Sequence, residues 1–386
     1  MYDAQRILIV EGSGRGFLSH YAHTLALGLY EAGRQVRLVT ALRDELAGWP
    51  APFERRASLR PGVAGWFDAM SETRSFAPDV VHFQWLADPV GAALYVNRVR
   101  RRGVAVLYTP HNLLPHRGRW MTMPLFRRLY RVFDRIVARD THMMWAAHEM
   151  LGVDLDLMKT ITGSPNIIAH PRAPRRLPDE APPRRPGEIR ALHFGHGCVR
   201  KGLEPLLRAL AVQECPKNLH LVLAGAGVAR SIGADVIAAA RRRVRISIIG
   251  RYLEPDEVGG LFAEADLVTM PYGKLCRSPI LDLAAAFRKP VLRTDRVEAT
   301  RFVEGEHGLT VANANAGAFV DVLVRLARNP ETVAAMHDAL KHGPGFSGEV
   351  ARLAGAHARL YDRAVRDLSG QRQPAGVGPV ATVVGK

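Results

Sequence analysis

The chain has 386 residues, enough for two or three domains of ordinary size, each with a core of its own. Hydrophobic residues make up 47% and charged residues 23%, with 35 glycines and 25 prolines, which excludes collagen-like, mucin-like, coiled-coil and wholly disordered chains. Lysine and arginine number 53 against 37 acidic residues, a formal charge of +16, so an anionic partner is expected: nucleic acid, a phosphorylated small molecule or an acidic membrane face.

No apolar run approaches the roughly 18 to 20 residues of a membrane-spanning helix. The N-terminus runs straight into the strand-like Ile7-Leu8-Ile9-Val10 with no leader, so a cytoplasmic location is expected. Cys198, Cys215 and Cys276 are far apart and form no CxxC pattern, which argues against a disulfide framework and a zinc site.

In chain order, Ile7 to Val10 predicts a strand, Gly12-Ser13-Gly14-Arg15-Gly16 a glycine turn, and Leu18, Tyr21, Ala22, Leu25 and Leu29 a helix. Gly33 ends that helix and Val36 to Thr40 supplies the next strand, completing a βαβ unit. Further strands are predicted at Val80 to Phe83, Ala105 to Tyr108 and Arg135 to Ala138. Between Ser164 and Glu188 seven prolines and Gly187 alternate with arginines, which reads as a surface linker. The α/β rhythm restarts at Ala191, with a helix over 203–212 and strands at 219–224, 244–249, 265–270 and 290–293.

The expected organisation is therefore α/β, with a Rossmann-like domain over 1–163, a linker over 164–188 and a second Rossmann-like domain over 189–345. A C-terminal helix over 346–368 is expected to pack back towards the first domain, followed by a disordered tail over 369–386. Two such domains leave a cleft between the carboxyl ends of their sheets, where open α/β sheets bind ligands.

Two glycine loops carry phosphate chemistry. Gly12 to Gly16 sets backbone N–H groups at a helix start, but no Gly-Lys-Ser/Thr follows, so it is not a Walker loop. Phe194-Gly195-His196-Gly197-Cys198-Val199-Arg200-Lys201-Gly202 places two adjacent cations between a strand end and a helix start, a combination suited to a diphosphate.

This second loop resembles the phosphate-binding element of GT-B fold glycosyltransferases, family 4 in particular, which commonly reads Gly-Arg-x-x-x-x-Lys-Gly. Lys201 and Gly202 match, while the family arginine falls on His196 and its role passes to Arg200. The segments 223–227, 250–257, 261–272, 288–291 and 304–309 follow the family order, as do Asp79 to His82 and Tyr108 to Asn112. The family's Glu-x7-Glu pair is replaced: its positions fall on Leu275 and Leu283, with Asp282 alongside.

The resemblance implies a GT-B glycosyltransferase that moves a sugar from a nucleoside diphosphate donor to a lipid-linked saccharide in exopolysaccharide or lipopolysaccharide assembly. It implies a diphosphate site of Gly14, Gly16, His196, Arg200 and Lys201, with backbone N–H groups of Ser278, Pro279 and Ile280. Arg251, Tyr252 and Asp282 are expected at the nucleoside, and His111 and Asp88 as candidate bases if transfer inverts configuration. No cofactor and no metal are expected, since no DxD pair stands near these motifs. A nucleotide-sugar epimerase of the same fold, or an inactive scaffold, would share the pattern.

From Tyr95 to Asp140 there are 11 arginines and 2 aspartates. Trp120, Met121, Met123, Phe126, Arg127, Arg128 and Arg131 interleave apolar and basic groups there, so this segment is expected to dock on an anionic membrane surface or the acceptor, as a peripheral protein at the inner face. The competing arrangement packs Leu125, Leu129, Val132 and Phe133 on the first sheet. His82 is read as a core residue, His170 as part of the hinge, and His116 is left open. Nucleic acid is not expected as a partner, because no RNP, helix-turn-helix or zinc pattern is present.

Overall fold

A computed structural model describes residues 3–86, 88–114, 119–299 and 302–370. The chain divides into two compact units, the first taken from 1–47, 51–163 and 351–386, the second from 48–50 and 164–350. Each is an open, all-parallel sheet with helices on it.

The first unit contains β1 (Arg6–Glu11), α1 (Gly16–Glu31), β2 (Gln35–Ala41), β3 (Glu54–Leu59), α2 (Val63–Phe76), β4 (Val80–Phe83), α3 (Pro89–Arg100), β5 (Ala105–Tyr108), α4 (Arg119–Tyr130), β6 (Arg135–Ala138), α5 (Thr141–Leu151) and β7 (Met158–Thr160). Strand order is β3-β2-β1-β4-β5-β6-β7. Because β1 is central and the winding reverses between β1 and β4, the loops leaving those two strands flank a switch point, where α/β sheets hold ligands. The strands are near-continuous apolar runs, as a sheet covered on both faces requires. One face, with Leu8, Val81, Phe83, Val106 and Tyr108, packs under α2 to α5.

The second unit contains β8 (Ile189–Phe194), α6 (Leu203–Val212), β9 (Leu219–Ala224), α7 (Ala234–Arg241), β10 (Arg245–Ile249), α8 (Pro255–Glu264), β11 (Leu267–Met270), α9 (Pro279–Ala286), β12 (Val291–Thr294), β13 (Gly308–Val311), α10 (Ala316–Arg328) and α11 (Pro330–Lys341). Its order, β10-β9-β8-β11-β12-β13, puts the switch point between β8 and β11. The long α12 (Gly345–Gly370) follows, and its residues from 351 belong to the first unit. There Tyr361 and His357 are buried against β4, and Asp362 accepts from the Ala4 N–H and pairs with Arg34.

The proline-rich segment is not a bare surface linker. Asn166, Ile167, Ile168 and Ala169 are buried, and the chain near Arg176 crosses α8 so closely that a Cβ on Gly260 would stand 2.2 Å from the Arg176 carbonyl oxygen. Glycine at that helix position is required by the close approach and not by helix propensity, which it lowers. Helix α12 also runs two residues past the expected start of the tail, through Ser369 and Gly370; residues 371–386 lie outside the described residues.

Candidate functional site

In the second unit, the two loops beside the switch point carry the charge. After β8 the chain turns through Gly195 to Gly197 and a short 3-10 turn, Val199–Lys201, which splits its two cations: Arg200 is exposed and Lys201 is buried. Gly202 closes the turn with φ 69°, and a Cβ there would meet the Pro271 carbonyl oxygen at 1.8 Å, so only glycine brings this loop against the loop after β11. The Gly273 N–H donates to the Arg200 carbonyl at 3.0 Å, tying the two loops together.

Lys201 points inward. Its ammonium donates to the Tyr272 hydroxyl and stands 3.9 Å from that ring's centroid. The hydroxyl lies 3.0 Å from the Ser278 Oγ, at the N-cap of α9. Among the described residues no carboxylate pairs with Lys201. Burial, with a further push from Arg200, lowers its pKa to about 8. Beneath it His193 is fully buried; its Nδ1 bonds the Thr269 carbonyl at 3.1 Å, its Nε2 has no partner, and burial followed by the Lys201 charge lowers its pKa to about 3. A desolvated ammonium beside a neutral imidazole, a phenol and a serine is a combination chemically suited to an anion.

His196 is exposed, and the loop over 271–278 adds Lys274 and Arg277. Pro279 is at the first helical position of α9 and has no N–H to give, so the helix's donors begin at Ile280. Asp282 lies in the first turn of the same helix, where its charge suits the helix dipole. Leu275 is 62% exposed and Leu283 is core, so neither position of the replaced glutamate pair carries polar chemistry.

Arg251 is already engaged. It forms bidentate pairs with Glu180 and Glu257 at 2.8 to 2.9 Å, and these hydrogen bonds raise its pKa further while lowering that of buried Glu257 to about 2. Its guanidinium braces the proline-rich segment and α8. Tyr252, beside it, is 42% exposed.

In the first unit the glycine turn is filled from within. The Ser13 and Gly14 N–H groups donate to the Glu11 carboxylate at 2.7 and 2.8 Å, and the Gly16 N–H donates to Glu45, which also meets His20 at 2.6 Å. The amides assigned to a phosphate are therefore occupied by carboxylates, Glu11 being fully buried and its pKa raised chiefly by that burial.

Both candidate bases already have hydrogen-bond partners within the first unit. Asp88 caps α3, accepting from the Val90 and Gly91 N–H groups at 3.0 and 3.1 Å and from the Trp66 indole at 2.8 Å. His111 accepts at Nδ1 from Arg139 at 3.0 Å, so its single proton is on Nε2, directed at Gln84 Oε1 at 3.4 Å. Burial and the Arg139 charge hold its pKa well below the ordinary histidine value. It offers a neutral donor at the carboxyl end of β5, between the rings of Phe17 and Tyr21. His82 is core, bonded to Tyr361 at 2.6 Å and Thr109 at 2.8 Å.

Helix α4 follows the competing arrangement in part. Phe126 is fully buried, as are Leu129 and Phe133, so Phe126 cannot enter a membrane; Leu125 is 41% exposed. Met123 packs on the core, while Arg127, Arg128 and Arg131 are exposed. The side chains of Trp120 and Met121, and His116, lie outside the described residues. Tyr272, His193, Lys274 and Arg277 escaped the sequence reading, although Tyr272 stood in one of the motifs and its position after an apolar strand was a usable signal.

Residues 18–162 match the family model Glycosyltransferase Family 4, and residues 189–329 match that of Glycosyl transferases group 1. The chain belongs to the family 4-like glycosyltransferases of GT-B fold. A curated relative, the GDP-mannose:glycolipid 4-beta-D-mannosyltransferase of Xanthomonas campestris pv. campestris, is 28% identical over 253 residues, covering 61% of this chain and 66% of the relative, a little under two thirds of its length. Among solved structures, a glycosyltransferase from Rickettsia africae superposes with TM-score 0.64 at 15% identity, covering 95% of this chain and 100% of that one. HepE of Anabaena in complex with UDP gives 0.58 at 14%, with the same coverage. At these identities the structures bear on the fold.

Proposed function

We propose that the protein transfers a hexosyl group from a nucleoside diphosphate sugar to a lipid-linked saccharide, in the assembly of a surface polysaccharide. The observation that carries the donor is Lys201, a buried ammonium at the switch point of the second sheet with a hydroxyl, an imidazole and a π-face around it but no carboxylate. A diphosphate supplies the missing charge. As the glycosidic bond breaks, negative charge grows on the leaving diphosphate, and Lys201, Arg200 and the Ile280 N–H are the groups of this chain suited to hold it. Tyr272 and Ser278 fix the ammonium's direction. The printed activity of the curated relative makes GDP-mannose the first donor to try and a glycolipid the first acceptor.

A thermal-shift panel of GDP-, UDP- and dTDP-sugars on the whole chain tests the donor. A ligand at a hundred times its Kd stabilises by about 2.7 kcal/mol, which for domains of this size raises Tm by about 5 °C or more. Lys201→Ala removes that shift. A panel in which no donor stabilises the protein overturns the reading, and so does a shift that Lys201→Ala leaves intact. Transfer of labelled mannose from GDP-mannose to an organic-extractable glycolipid tests the acceptor.

A further inference from the structure

In the first unit, α2 and α3 lie side by side, and their seam is fixed by Trp66, whose indole donates to Asp88 and packs so near Gly91 that a Cβ there would stand 2.2 Å from its Nε1. On the outer side of that seam each helix turns apolar side chains to solvent: Val63 and Phe67 are 70% and 71% exposed, Val90 and Leu94 53% and 69%. These are i, i+4 pairs, so each helix shows its pair on one stripe. Both helices follow strands of a parallel sheet, which brings their first turns, and these four side chains, to the carboxyl end of that sheet.

The stripes continue into cations. Arg74 lies seven residues beyond Phe67, and Arg98 lies four beyond Leu94, both exposed. The acids of α2 do not oppose them: Asp68 is held by Arg60 and Glu72 by Arg37. Helix α3 has no acid after its cap. On α4, the next helix in the layer, Leu125 and Arg128 repeat the order of apolar then basic. Four bulky apolar groups in water are not explained by packing, and a row of arginines behind them selects an anionic partner.

We propose that the α2–α3 face seats the protein on an anionic lipid bilayer, with Val63, Phe67, Val90 and Leu94 entering the acyl boundary and Arg74 and Arg98 meeting lipid phosphates. The inference rests on the lipid-linked acceptor read above and moves the contact away from α4, whose Phe126 is core.

The test is co-sedimentation of the whole protein, without donor, on vesicles of phosphatidylcholine alone and with phosphatidylglycerol. Binding to the anionic vesicles is expected, weakened at least tenfold by the double variant Phe67→Asp/Leu94→Asp, and weakened by Arg74→Gln/Arg98→Gln or by added salt. Both variants retain the donor-induced thermal shift, which shows that they fold. Equal binding to neutral vesicles, or partition of the apolar double variant within twofold of the parent, overturns the proposal. So does a concentration-dependent dimer that this variant dissolves while vesicle binding is absent, since the face then receives a second copy. Transfer to a deacylated, water-soluble acceptor is measured alongside: if it persists while vesicle binding fails, the docking surface is refuted and the transferase reading stands.

Discussion

If Lys201 holds the donor diphosphate as proposed, donor affinity depends on pH in a way that can be calculated. Its pKa falls from 10.5 to about 8, a shift equivalent to on the order of 3 kcal/mol spent keeping the ammonium charged in its pocket. A diphosphate ester, ionised throughout the neutral range, raises that pKa again on binding. Affinity is therefore full well below pH 8 and is lost as pH rises through 8, until the pKa of the complex is reached. The charged fraction of the free protein drops from about nine tenths at pH 7 to about one tenth at pH 9, so the apparent Kd rises about tenfold across that interval. Isothermal titration with an intact nucleoside diphosphate sugar, at constant ionic strength, reads both the Kd and the proton uptake. Lys201→Met weakens binding at pH 7 and flattens the profile. A parent protein whose Kd is unchanged between pH 7 and 9, or a Lys201→Met variant with the parent's slope, would show that this ammonium does not face the diphosphate.

His82 and His357 are buried with no carboxylate among the described residues in hydrogen-bonding reach, His357 with its pKa lowered to about 4, so the unfolded chain binds more protons and stability drains away as pH falls from about 6.5 towards 4; urea midpoints at pH 7 and 5 measure it. Phe126→Asp is expected to cost roughly 3 to 5 kcal/mol in urea denaturation, whereas Leu125→Asp stays within about 0.5 kcal/mol, and comparable losses at the two positions would contradict the facing of α4. Arg251→Ala strips the buried Glu257 of its bidentate partner and lowers stability by about 1.5 to 3 kcal/mol while leaving the donor-induced shift in place; loss of that shift with unchanged stability would restore Arg251 to the nucleoside.

Much of this architecture was legible because parallel strands covered on both sides read as short apolar runs: β1, β2, β4, β5, β6, β8 and β9 all stand where the sequence placed them. The strands it did not reveal are edge or near-edge pieces. Glu54 to Leu59 carries Glu54, Arg55 and Arg56 on an outer strand, and Met158 to Thr160 is only three residues long, so neither has the apolar density that marks a central strand. Lys201 was legible from its loop, yet its direction was not, since the pattern Arg200-Lys201 does not tell which cation the Gly202 turn sends inward. The same limit explains Asp88, Arg251 and the Gly14 and Gly16 amides. Each is a charged or donating group in a suggestive place, and the partners that claim it, Trp66, Glu180, Glu11 and Glu45, come from distant or unremarked positions.

The two glutamates of the first glycine turn have a further effect. A tethered carboxylate confronts its amides at a high effective concentration, so a dissolved anion has to displace it before it can use those amides. The turn thereby has its own counter-charges in place, and the proposed recognition of a charged donor falls to Lys201 and its neighbours.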